Sequence, residues 1–170
     1  DWFLMSYPNH DSFREYFGHL GALYTSRPCL YKGDYCSESF CWLIVNAEKD
    51  SIYAYERICG EDRIMCIFNM SDKIRYVSVP MNERCILKEL LNSDWDIFSG
   101  TTVRPGSPEE IKAVDYGNFA RIELKPFSGR MFDVFPSDKE EQEENLFASE
   151  LKPVSGSDDK NVIVIEYDDE

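Results

Sequence analysis

From Ile52 to Pro80 the chain is a succession of short apolar runs separated by turn residues, with no amphipathic helical repeat between them. The stretches SIYAYER (51–57) and IRYVSVP (74–80) alternate outward and inward side chains, the period-2 pattern of a strand with one buried face. CGED (59–62) has hairpin composition, and SDK (71–73) reads as a second tight turn. The same texture predicts strands over Leu30–Tyr35, Phe40–Asn46, Ile52–Ile58, Ile64–Met70, Ile74–Val79, Ile86–Leu91, Phe119–Leu124 and Gly129–Phe135. Parallel neighbours would need long crossovers, usually helical, and none fits here. Antiparallel strands packed as a sandwich or barrel are what such a chain can form.

One helix precedes them. Phe13, Tyr16, Phe17, Leu20, Leu23 and Tyr24 recur at i, i+3, i+4, i+7, i+10 and i+11 and line a single apolar face. Ser12 and Glu15 have capping-box spacing, and Pro28 stops the helix, so the expected span is Ser12–Thr25. Ser99–Asn118 reads as a long connection rich in Gly, Pro and charge. The expected organisation is therefore 1–28 as lead-in and helix, 29–135 as a β-sandwich, and 136–170 as an acidic tail. Within that tail Glu140–Phe147 has helical character and NVIVIEYDDE (161–170) reads as a terminal strand, suited to a sheet edge or to a protein partner.

Charge narrows the partners. The formal net charge is -14, and the Lys and Arg residues are scattered singly, which argues against nucleic acid and against an anionic membrane surface. From Pro136 onward there are 12 acidic residues against three lysines, so the acidity belongs mostly to the tail. No apolar run reaches the length of a membrane span, and DWFLMSYPNHD lacks the basic and apolar regions of a signal peptide. All six cysteines fall between Cys29 and Cys85, without a C-x-x-C pair. Several sit in apolar runs such as RIMCIFNM, where a thiol behaves as a small hydrophobe. Free thiols in a reducing, cytoplasmic compartment are expected, although the even count keeps a disulfide framework open. With only His10 and His19 to complete a site, no zinc centre is expected. No phosphate-binding or dinucleotide fingerprint appears, and no cofactor is expected.

SIYAYERICGEDRIMCIFNMSDKIRYVSVP (51–80) resembles the C-terminal all-β domain of the α-amylase superfamily of glycoside hydrolases. The resemblance rests on Tyr55 and Arg57, the Gly60-Glu61-Asp62 turn, the apolar Ile64–Phe68 run, Asn69-Met70-Ser71-Asp72 and Val79-Pro80. LKELLNSD (87–94) and IELKPFSGRMFDV (122–134) are similar to later strands of that domain. Phe13–Tyr35 is similar to the last barrel helix of these enzymes and the segment leading from it. The likeness implies an all-β, antiparallel Greek-key β-sandwich of about eight strands, with one N-terminal helix and an acidic C-terminal extension. It also implies a partner, the catalytic (β/α)8 barrel of the same parent polypeptide, which would carry the paired carboxylates of α-glucan chemistry.

In that family an Asn-His-Asp motif holds a third carboxylate, and Asn9, His10 and Asp11 match it letter for letter. The helix begins at once after them, however, and 170 residues cannot supply a barrel that takes about 250. These residues therefore read as a helix cap, and no catalytic residue is assigned. For sugar contact the candidates are Trp95, Trp42 and Tyr55, since pyranose rings stack on aromatic faces. Trp95, between Asp94 and Asp96 at a loop mouth, is the best candidate for an exposed platform. Trp42 in FCWLIVN, and Tyr53 with Tyr55 on one strand face, read rather as core. Asp94, Asp96, Glu109 and Glu110 lack the spacing of a calcium loop and read as solvated. The expected function is an accessory domain that stabilises the barrel and contacts α-glucan, without catalysis of its own. The alternative is a free-standing carbohydrate-binding or protein-interaction module.

Overall fold

A computed structural model of the chain describes residues 2–47, 50–113, 118–137 and 165–166. Among these residues nine strands form two sheets. The larger sheet contains β1 (Phe40–Ala47), β2 (Ile52–Cys59), β3 (Asp62–Asn69), β8 (Ser128–Pro136), β5 (Cys85–Asn92) and β6 (Glu110–Ala113), in that spatial order. The smaller contains β7 (Phe119–Leu124), β4 (Arg75–Pro80) and β9 (Ile165–Glu166). Every strand pair is antiparallel. The chain crosses between sheets from β3 to β4, back to β5, again from β6 to β7, and back to β8, so this is the expected all-β sandwich.

Alternation in the sequence sets which side chains meet. In β4 Val77 and Val79 point inward while Tyr76 faces out. They join Ile52, Ala54, Met65, Ile67, Leu87, Phe132 and others in a core between the sheets. Each such large aliphatic side chain contributes about 1.5–3 kcal/mol on full burial. The β2–β3 hairpin turns on Gly60, whose φ of 64° is the left-handed conformation that a two-residue hairpin loop requires and glycine supplies without strain.

The larger sheet has a second apolar face. There Ile64, Cys66, Leu91 and Met131 pack with Cys29, Trp95 and Phe98, and the helix α1 (Pro8–Ser26) lays Tyr16, Leu20 and Leu23 over them. The expected helix start at Ser12 is corrected. Tyr7 is the N-cap and Pro8 takes the first turn, where its missing N–H costs nothing. Asn9, His10 and Asp11 lie inside that turn rather than ahead of it. The Ser12 hydroxyl donates back to the Pro8 carbonyl (3.0 Å) rather than capping.

Two further expectations change. Leu30–Tyr35 is not a strand. Pro28 opens a 3-10 turn over Pro28–Leu30, and the amides of Tyr31 and Lys32 donate to the Pro28 carbonyl at 3.2 and 2.8 Å. Cys29 N–H goes to the Asp62 carboxylate (2.8 Å). Donors spent locally cannot form a ladder. Conversely, the presumed connection Ser99–Asn118 contains β6, paired from Lys88↔Glu110 to Cys85↔Ala113. Its short EIKA run buries only Ala113 fully, which hid it among charged neighbours. Of the anticipated terminal strand at 161–170 only Ile165 and Glu166 lie within the described residues, where they form β9 on the β4 edge. The anticipated tail helix at 140–147 lies outside the described residues.

Candidate functional site

The surface that stands out is built by α1 and the β1–β2 end of the larger sheet. The apolar arc of α1 is wider than the sheet covers. Tyr16, Leu20 and Leu23 are packed, but Phe13 (61% exposed), Phe17 (55%) and Tyr24 (48%) on the adjoining flank are not. The 3-10 turn Trp2–Ser6 that precedes the helix adds exposed Trp2 and Phe3. A groove of about 530 Å³ runs along this flank, between Phe17, Gly21 and Tyr24 of the helix and Phe40, Tyr55 and Arg57 of the sheet.

The far wall of the groove is an aromatic row. Phe40 and Tyr55 stack at 5.1 Å and Tyr55 and Phe68 at 6.0 Å, with Trp42 set edge-on to Phe40 at 5.1 Å. Tyr55 is half-buried, and burial pushes its hydroxyl pKa up. Arg57 ties the row to the helix exit by donating from Nε to the Cys29 carbonyl (3.0 Å) and pairing with Asp34. Beneath it Arg27, immediately past α1, donates to Asp62 (2.7 Å) and bidentately to Asp133 (2.7 and 3.1 Å). This clamp fixes the helix against β3 and β8. Burial pushes the Asp62 carboxyl up, but the bonds from Cys29 N–H and Arg27 outweigh it and hold its pKa below the ordinary value.

The sugar-contact candidates separate. Trp95 is buried at 4% exposure, which corrects the expectation of an open platform. A 3-10 turn at Asp96–Phe98 folds it under α1, where its ring stacks on Phe98 at 6.2 Å and the Arg104 guanidinium lies 5.1 Å above it. Trp42, read as core, is instead 50% exposed at the rim of the aromatic row, because β1 is the edge strand of its sheet. Tyr55 lines the groove.

The four acidic residues Asp94, Asp96, Glu109 and Glu110 are engaged separately. Asp94 accepts from the Thr101 and Thr102 hydroxyls (2.8 and 2.6 Å). Burial raises its pKa and these bonds more than reverse that, leaving it lowered. Asp96 accepts from the amides of Ile97 and Arg104, Glu109 pairs with Arg130, and Glu110 with Lys88. Among the described residues no group of three His, Cys, Asp or Glu side chains converges as a metal site. Asp11 is on the exposed face of α1, paired with Arg14 at 2.7 Å.

Sequence reasoning missed the Arg27 clamp, since its three members are distant in the chain. It also missed the division of the helix face into a covered and an uncovered half. The available signal was the width of the arc, which exceeds the single stripe that one sheet covers.

Fold and surface together define an antiparallel β-sandwich domain that carries one helix with an uncovered aromatic flank. The family model described as "Alpha amylase, C-terminal all-beta domain" matches residues 42–135, and the chain belongs to that family. It is 33% identical over 107 residues to a 1,4-alpha-glucan branching enzyme GlgB of Pseudomonas putida, covering 61% of this chain and 14% of that protein. A second 1,4-alpha-glucan branching enzyme GlgB, from Agrobacterium fabrum, is 32% identical over 139 residues, covering 78% and 18%. Among solved structures, the trehalulose synthase MutB from Pseudomonas mesoacidophila MX-45 is 17% identical with a TM-score of 0.46, covering 68% of this chain and 16% of that one. The chain thus spans less than a fifth of the length of the relatives it matches.

Proposed function

We propose that this chain is the C-terminal accessory domain of a longer α-glucan-acting enzyme, and that it stabilises a catalytic (β/α)8 barrel of the same polypeptide by covering it with the uncovered flank of α1. The observation that carries this reading is the exposure of Phe13, Phe17 and Tyr24 on one flank of α1, with Trp2 and Phe3 also exposed in the turn before it. A contiguous apolar surface of this kind marks an interface rather than a solvated face. The occupant follows from length, since the relatives extend far beyond the part that this chain matches. The parent acts on α-1,4-glucan, the substrate class that the relatives' names carry. The bond-making or bond-breaking step belongs to the barrel and not to the sandwich. The six free thiols, three of them buried, support a cytoplasmic setting.

Association tests the reading. The polypeptide encoded upstream of residue 1, expressed as a separate chain, is expected to co-purify with residues 1–170 and to lose that association when Phe13 and Phe17 are changed to Ser. The double variant should fold normally alone, since neither ring is buried. An open reading frame beginning near residue 1, or co-purification indifferent to the double substitution, would leave a free-standing module as the better reading.

Contact with α-glucan is the second element of the proposal. Trp42 supports it, as a half-exposed ring beside Tyr55 at the groove's rim. Trp42→Ala should abolish retention of the chain on an amylose column if this ring is the platform. Retention unchanged in Trp42→Ala would remove Trp42 from that role.

A further inference from the structure

We propose that a second cleft, at the opposite face of the larger sheet, binds a neutral saccharide through the Glu89 carboxylate and the Asn92 amide. The cleft measures about 420 Å³ and opens between the loop at 101–109 and the β7–β8 turn. That volume lies within the range of small-molecule sites, about 300–1,000 Å³.

The argument starts from strand geometry. Residues three apart on a regular strand point to opposite faces. Glu89 and Asn92 nevertheless both line this cleft, because the β5–β8 register slips between Glu89 and Leu91. The bulge sends Leu90 and Leu91 together to the helix side of the sheet and returns Asn92 to the side of Glu89. Bulges of this kind re-aim side chains and occur preferentially beside binding sites.

The two side chains are nearly buried, at 4% and 5% exposure, yet each keeps one polar group without a protein partner among the described residues. Glu89 gives Oε1 to Arg130 Nε (2.7 Å) and leaves Oε2 free. Asn92 gives Oδ1 to the Asp94 amide (2.9 Å) and leaves its NH2 free. Neither free group is sealed in the interior, where the unpartnered atoms are Glu56 Oε2 and Trp95 Nε1. A buried acceptor and a buried donor, held side by side and open to one cleft, match an adjacent pair of hydroxyls, one donating to Glu89 and the other accepting from Asn92.

Charge selects against other ligands. The charged groups that line the cleft are paired with one another, Arg130 with Glu89 and Glu109 and Lys125 with Glu123, so no unpaired cation stands ready for an anionic ligand. Arg130 also locks the floor, pairing with Glu109 and donating to the Glu123 carbonyl (3.0 Å). Val103 lines the cleft and is exposed, and Phe127, in the turn between the lining residues Lys125 and Ser128, is held at a φ of 49° that a bulky residue adopts only under constraint. The choice of sugar rests on the α-glucan reading above, while the cleft itself does not involve the docking face of α1.

The test is a titration of the 15N-labelled 170-residue chain with maltohexaose, followed by NMR. The Asn92 NH2 and Arg130 Nε–H signals are expected to shift in fast exchange, with a Kd on the order of 1 mM. Asn92→Asp keeps the acceptor for the Asp94 amide and removes the free donor, and it should weaken binding at least about tenfold, or 1.4 kcal/mol. Silence of both signals up to about 50-fold that concentration overturns the site, as does unchanged affinity in Asn92→Asp. Shifts confined to the Trp42 indole would overturn it too while leaving the aromatic rim as the sugar contact. None of these outcomes bears on the co-purification test of the docking face.

Discussion

Asn69 has no exposed surface, and both ends of its side chain are occupied. Its NH2 donates to the carbonyls of Lys73 (2.7 Å) and Lys125 (2.9 Å), and Oδ1 accepts from the amide and hydroxyl of Ser71 (2.9 and 2.7 Å). One amide thereby joins the β3–β4 turn to the β7–β8 turn, which is the physical work done by the Asn in Asn69-Met70-Ser71-Asp72. Asn69→Ala should strand several buried backbone groups and lower the unfolding free energy by about 2–4 kcal/mol, read from the urea midpoint at constant m. The thiols make a second residue-scale test. Burial pushes Cys29 and Cys66 up to about 12 and Cys85 up to about 11, whereas Cys36 is exposed. Iodoacetamide at pH 8 should alkylate Cys36 quickly in the native chain and reach Cys29, Cys66 and Cys85 only after unfolding, as peptide mass mapping would show.

At the scale of elements, α1 is held by one packed side and one ionic clamp. Arg27 is largely buried between Asp62 and Asp133, so Arg27→Ala leaves two carboxylates facing each other without their cation. A loss of about 3–5 kcal/mol is expected, larger than for an exposed pair such as Arg14–Asp11, which solvent screens. Comparison of thermal midpoints for the two alanine variants checks the order. The β4 edge gives the opposite expectation. Among the described residues β9 pairs with Tyr76 and Val77. Ending the chain after Ser137 should therefore change the melting temperature by no more than about 2 °C, well under the shift of about 4 °C for each kcal/mol in a domain of this size.

For the whole molecule, acid stability follows from carboxylates that the fold holds ionised. Asp62 and Asp94 have folded pKa values below their ordinary ones, so each contributes stability that is present above the unfolded pKa of about 3.9 and lost as pH falls through the folded value. Urea midpoints should be flat from about pH 7 to 5 and drop steadily below about pH 4. In Asp62→Asn the starting value should be lower and the fall shallower.

Alternation in SIYAYER and IRYVSVP and the turn residues between strands were enough to define an antiparallel double layer, because strand period and turn chemistry are local properties. The motif order from Tyr55 to Val134 likewise pointed to the right family. Local signals could not tell that the amides of Leu30, Tyr31 and Lys32 would turn back to the Arg27 and Pro28 carbonyls, which takes Leu30–Tyr35 out of strand. They could not place Trp42 on an edge or Trp95 beneath a helix, since exposure depends on which element lies next in space. The bulge that turns Asn92 toward Glu89 is legible only in the pairing of β5 with β8, and the uncovered half of α1 only once the sheet has taken the other half. Sequence determined what each segment prefers to be; contacts between residues far apart in the chain decided which surfaces were left open.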